Sequence, residues 1–171
     1  MRTPFFSVTT KSFVSNSSPH VVLSHIGTYN TSDWTNNAVY GLFGDIGYKQ
    51  TQRFKRAEKV QKLAEAKYNP KNITLISHSQ SGIIAQLLGK NVYETITLNK
   101  ATRPQDLFRF NQSKNQYDVR SNGDIVSLWR NPLQQRNETT IKKKSNNVLS
   151  EHKPNVLNRL GDKIIGKTTG L

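Results

Sequence analysis

Hydrophobic positions along the chain fall into short runs punctuated by polar turns, with one long stretch at helical spacing. Phe5, Phe6, Val8, Phe13 and Val14 predict a first strand or two within residues 1–18. His20 to Ser24 (HVVLS) predicts another strand. From Tyr48 to Tyr68, Phe54, Ala57, Val60, Leu63, Ala64 and Tyr68 recur at intervals of three and four between Lys and Arg, which predicts a helix. Asn69-Pro70 ends it. Ile73 to Ile76 is apolar, β-prone and too short for a helix, whereas Ile83, Ile84, Leu87 and Leu88 return to helical spacing up to about Gly89. Tyr93 to Asn99 (YETITLN) alternates as a strand does, and Gln116 to Ser121 follows as another after a loop over Lys100 to Asp106. Residues 37–47 mix apolar and glycine positions and give no assignment. Residues 131–149 are polar, Ser150 to Pro154 forms a turn, and the last residues form a short helix and a tail. Strand, helix, strand, helix, strand and strand in this order predict an α/β fold around a mostly parallel sheet.

The totals narrow this reading. A chain of 171 residues is expected to be one domain, with residues 1–18 as a peripheral segment and 156–171 as a C-terminal tail. Hydrophobic residues make up 34 %, which predicts a thin core and a very polar surface. The absence of cysteine excludes disulfides and thiolate metal sites. No G-x-G-x-x-G follows a strand and no His/Asp cluster has ligand spacing, so no cofactor or metal is expected. Residues 1–14 lack the apolar stretch of a signal peptide and no segment is long enough to span a bilayer, so the expected location is cytoplasmic or virion-associated. Twenty-five Lys and Arg against eleven Asp and Glu give a net charge of +14. Such a surface favours anionic partners: an anionic membrane, an acidic assembly, or nucleic acid, although no nucleic-acid-binding motif is present.

The chemistry concentrates at Ser77-His78-Ser79-Gln80-Ser81-Gly82, the run of small and polar residues between strand and helix. A strand, a sharp turn and a helix form the layout of a nucleophile elbow, which lifts a serine hydroxyl above the carboxyl end of a strand. An ordinary βα turn or a small phosphate loop fits the same residues. A serine nucleophile needs a base and the base needs an orienting carboxylate, which in α/β-hydrolases follow in the order Ser, Asp or Glu, His. His152 is the one histidine downstream of Ser79. Asp124 lies just past the strand that ends at Ser121, where a hairpin turn is the other reading of Asn122-Gly123-Asp124. The backbone N–H of Gln80, and Thr28 in the loop after the His20–Ser24 strand, stand where oxyanion donors belong.

With these residues in place, the chain resembles the class 3 lipases, fungal-type α/β-hydrolases. Gly27, Thr28, Asp33 and Trp34 match their first strand-and-loop landmark, with Ile26 in place of its arginine. SHSQSG matches Gly-His-Ser-Leu-Gly-Gly at His78, Ser79 and Gly82, with Ser77 and Ser81 replacing glycines. SNGDIVSLW matches the acid motif at Asp124, Ile125 and Val126, with Ser127 replacing proline. The resemblance spans roughly residues 20 to 155 and implies a minimal α/β-hydrolase fold. It further implies Ser79 as nucleophile, His152 as base, Asp124 as its orienter, Thr28 and Gln80 as oxyanion donors, and Trp34 at the mouth contacting an acyl ester or lipid substrate. The lost glycines and arginine leave a second reading open: a catalytically impaired hydrolase fold serving as a basic binding or structural component, for instance of a virion.

Overall fold

The computed structural model describes residues 6–7, 10–14, 19–25, 45–102, 104–108, 113–129 and 137–159. Seven strands form one sheet: β1 (Phe6–Ser7), β2 (Thr10–Val14), β3 (Val21–His25), β4 (Ile73–His78), β5 (Glu94–Leu98), β6 (Gln116–Ser121) and β7 (Glu138–Ile141). They lie side by side in chain order. β2 pairs antiparallel with both β1 and β3, whereas β3 through β7 are parallel. The mostly parallel sheet flanked by helices is a minimal α/β-hydrolase fold. α1 (Gln52–Lys67) carries the crossover from β3 to β4, and α2 (Ser81–Leu88) that from β4 to β5. Uniformly right-handed crossovers that step in one direction place both helices on the same face of a sheet.

Packing follows from strand alternation. Val21, Leu23 and His25 share one face of β3, and the register continues that face through Ile73, Leu75 and Ser77. Ala64 and Tyr68, at the end of α1, pack there with Ala85 of α2 and Val92. Phe54 and Ala57 of α1 meet Ile83 and Ile84 of α2 over Tyr48. Each such buried aliphatic side chain contributes about 1.5–3 kcal/mol. The opposite face holds a separate cluster over the last three strands, Leu98, Val119 and Ile141 against Val156 of the 3₁₀ turn Pro154–Arg159.

On the helix side, β5 and β6 carry polar residues instead. Asp118 accepts from Thr97 (2.6 Å), Gln116 (2.8 Å) and Lys100 (2.8 Å). Burial alone would raise its carboxyl, but Lys100 and these hydrogen bonds outweigh that and hold it below the usual range.

The helical stretch differs from its sequence pattern in two ways. Thr51 interrupts it: residues 45–50 form one helical segment, and the Thr51 hydroxyl caps α1 by accepting from the Phe54 amide (3.2 Å). The buried stripe is Phe54, Ala57, Gln61, Ala64 and Tyr68, and Leu63 is exposed. Gln61 stays inside because its side-chain amide donates to the carbonyl of Leu88 at the end of α2 (2.9 Å). Two further expectations change. β7 lies within the segment 131–149, which the sequence marks only as polar. The Ser150–Pro154 turn is instead the end of a short helix, α3 (Val148–His152), which runs into the 3₁₀ turn. Among the described residues no helix is long and apolar enough to cross a membrane.

Candidate functional site

Ser79 follows the last residue of β4 and precedes α2, at the carboxyl edge of the sheet. Its φ is 61°, in the left-handed region that costs a residue with a Cβ on the order of 1–3 kcal/mol. The strain is held from two sides: its amide donates to Leu98 O (3.0 Å) and its carbonyl accepts from Ala101 N (3.1 Å). The serine at 81 has its own partners. Its hydroxyl lies within donating distance of the carbonyls of His25 (2.7 Å) and His78 (2.8 Å), and accepts from the His78 amide (3.1 Å). A buried hydroxyl is tolerated in this position because it ties the end of β3 to the turn.

The close approach that glycine allows has moved to Gly82. A Cβ there would stand 2.5 Å from Cγ, 2.9 Å from Cβ and 3.2 Å from Cα of Lys100, whose ammonium is tethered to Asp118. Gly82→Ala is therefore expected to destabilise the fold by about 1–3 kcal/mol, read as a lower denaturation midpoint in urea at unchanged slope.

The three residues picked out along the sequence converge. His152 Nε2 lies 2.8 Å from Ser79 Oγ, and His152 Nδ1 lies 2.8 Å from Asp124 Oδ1. Asp124 is buried in the turn after β6. Its Oδ1 also accepts from Val126 N (3.1 Å) and its Oδ2 from Ser127 N (3.1 Å). Burial would raise this carboxyl, yet the hydrogen bonds from His152, Ser127 and Val126 together hold it below its ordinary value. An ionised carboxylate only accepts, so Nδ1 of His152 donates to Asp124, which leaves Nε2 facing the Ser79 hydroxyl. Arg120 braces the acid turn by donating to Ser127 O (3.1 Å) and Asn122 Oδ1 (3.0 Å).

Neighbours to which the sequence reading gave no role surround the histidine. His78 Nε2 donates to the carbonyl of His152 (2.6 Å), with the two rings 4.9 Å apart. Burial lowers the His78 imidazole, the hydrogen bond to His152 opposing it, so the ring is neutral near pH 7. Glu151, wholly buried beside His152, accepts from the Ser121 hydroxyl, Arg159 (2.7 Å) and the amides of Lys144 (3.1 Å) and Ser145 (2.7 Å). Led by Arg159, these donors pull its carboxyl down to about 2.

Gln80 is buried next to Ser79, and among the described residues its backbone N–H has no hydrogen-bond partner. Thr28 and Trp34, with Gly27 and Asp33, lie outside the described residues. Among the described residues no group of three or more His, Cys, Asp or Glu side chains could hold a metal ion.

No protein-family model matches the chain, and no curated protein matches it. Among solved structures it is similar to the crystal structure of Lip2 lipase from Yarrowia lipolytica, with a TM-score of 0.45 and 16 % identity. The match covers 77 % of this chain and 59 % of that one. The sheet and the helices flanking it match a minimal α/β-hydrolase fold.

Proposed function

We propose that the protein is a serine hydrolase of the lipase/esterase type, a short and divergent relative of the class 3 lipases, cleaving carboxylic esters through an acyl-enzyme. The observation that carries this reading is the unbroken hydrogen-bonded line from Ser79 Oγ through the His152 ring to Asp124. In the reaction, Ser79 Oγ attacks the ester carbonyl carbon while His152 Nε2 takes its proton. Asp124 holds the ring and stabilises the imidazolium. The carbonyl oxygen becomes an oxyanion facing the N–H of Gln80, with Thr28 as the second donor. Collapse expels the alcohol, which leaves with the proton from Nε2. Water then repeats the sequence on the acyl-enzyme, and the carboxylic acid departs.

Acyl lipids are the favoured substrate class. Ile125, Leu128 and Trp129, in the segment that follows Asp124, are exposed apolar side chains. A net charge of +14 adds attraction to anionic phospholipid surfaces. The test is incubation of the folded protein with a fluorophosphonate probe and with short-chain p-nitrophenyl esters. Labelling confined to Ser79, together with ester turnover, supports the reading; neither one from intact protein ends it. The same charge favours the second reading, a basic scaffold, and salt-dependent nucleic-acid binding without turnover would select it.

A further inference from the structure

Among the described non-glycine residues two have left-handed backbones: Ser79 and Asn99, the latter at φ 44°. Asn99 immediately follows β5 and is fully buried. Asparagine tolerates this conformation better than most residues, which accounts for the backbone but not for what the side chain does. Its Nδ2 donates to two successive carbonyls, Glu151 O (2.8 Å) and His152 O (3.1 Å). Its Oδ1 accepts from the Ser121 amide (2.8 Å).

The turn around it touches the segments of the proposed nucleophile, acid and base. Leu98 O and Ala101 N hold the main chain of Ser79. Ser121, bonded to Asn99, accepts at its own carbonyl from the Asp124 amide (3.1 Å). Thr102 N donates to Val126 O (3.0 Å), two residues beyond the acid. The main chains at the nucleophile, the acid and the base, which come from distant parts of the sequence, are thus hydrogen-bonded into one five-residue turn. Asn99 supplies the link to the base.

We propose that Asn99 is a positioning residue for His152: its side-chain amide, gripping the carbonyls of residues 151 and 152, sets the imidazole between Ser79 and Asp124. The role rests on the hydrolase reading for its catalytic meaning, but the geometry it predicts is measurable without turnover. The His152 carbonyl also accepts from His78, and the preceding residue, Glu151, is anchored through its carboxylate to Arg159. Among the described residues, only Asn99 ties the main chain of the base to the 98–102 turn that also holds the nucleophile. Displacing a reacting group by about 1 Å costs on the order of 100-fold in rate.

The test compares Asn99→Gly, which keeps access to the left-handed backbone and deletes the amide, with Asn99→Asp, which keeps the acceptor for Ser121 and deletes both donors. In the wild-type protein the Nδ1–H of His152 donated to Asp124 is expected as a downfield proton resonance that disappears in His152→Ala. Both Asn99 variants are expected to broaden or lose it while the remaining amide spectrum keeps its folded dispersion. With a short-chain ester, kcat is expected to fall about 10- to 100-fold and KM to change by less than about twofold. Persistence of the resonance in Asn99→Gly overturns the proposal, whether or not kcat falls, because the histidine is then in place without the amide. Its absence from wild type overturns the proposal as well. If the wild type neither turns over ester nor takes the fluorophosphonate, the hydrolase reading fails, and the resonance alone decides the positional role.

Discussion

Ser79→Ala is expected to lower ester turnover by roughly 10⁶-fold, with KM little changed. The variant loses the hydroxyl that lies 2.8 Å from His152 Nε2. Residual activity of on the order of 10³–10⁴ over the uncatalysed reaction is expected from the Gln80 N–H and substrate binding alone. Stability should hold or rise slightly, since alanine in the same left-handed turn removes a hydroxyl and no buried apolar contact. Steady-state kinetics on a p-nitrophenyl ester check the first part, and thermal melting checks the second. Turnover within tenfold of wild type would mean that the ester is cleaved elsewhere.

Asp124→Asn should cost about 10⁴-fold in kcat while the fold persists. The carboxylate fixes the proton on His152 Nδ1 because it can only accept there. An asparagine can present its NH₂ to that nitrogen, which moves the proton to Nε2 and leaves nothing to receive hydrogen from Ser79. The main chain also loses a partner: two amides, Val126 and Ser127, now use one carboxyl oxygen each. An asparagine offers one oxygen, so one amide is left unmet at about 1–3 kcal/mol. The pH dependence has a defined sign. A carboxyl held below its ordinary 3.8 in the folded state adds stability that is complete above that value and is lost as the pH falls through the lower folded value. Asp124→Asn should therefore show a shallower loss of stability in strong acid than wild type. Kinetics at neutral pH and urea titrations at several acidic pH values test the two halves separately.

How far the sequence could be read depended on how each residue's role is encoded. The Ile73–Leu88 stretch was legible because an apolar strand, small turn residues and a buried helix have different periodicities, and they change over within six residues. Asp124 was legible through its place after a strand. β7 was not: Glu138, Thr139 and Thr140 are polar or half-exposed on an edge strand, and the one buried residue among them is Ile141. Polar edge strands are stabilised by pairing, which leaves little hydrophobic signal. Leu63 and Gln61 exchanged their expected places because a hydrogen bond to a helix end outweighed the periodicity.

Asn99 went unnoticed for a related reason. Its conformation and three side-chain hydrogen bonds are tertiary, and the one local hint was an asparagine directly after a strand, a residue type suited to left-handed turns. The serines at 77 and 81 weakened the elbow motif on paper. In the fold Ser81 is hydrogen-bonded and Gly82 provides the close approach. Thr28 and Trp34 remain proposals resting on their motif alone.

The strand order has a consequence for how the protein is made. Because neighbours in the sheet are neighbours in synthesis, a nascent chain can pair each strand as it leaves the ribosome, with little need to wait for distant segments. The nucleophile and its carboxylate both precede residue 152 in the chain. On the proposed mechanism the chain gains the power to attack esters only when the segment that carries His152 docks against Ser79 and Asp124.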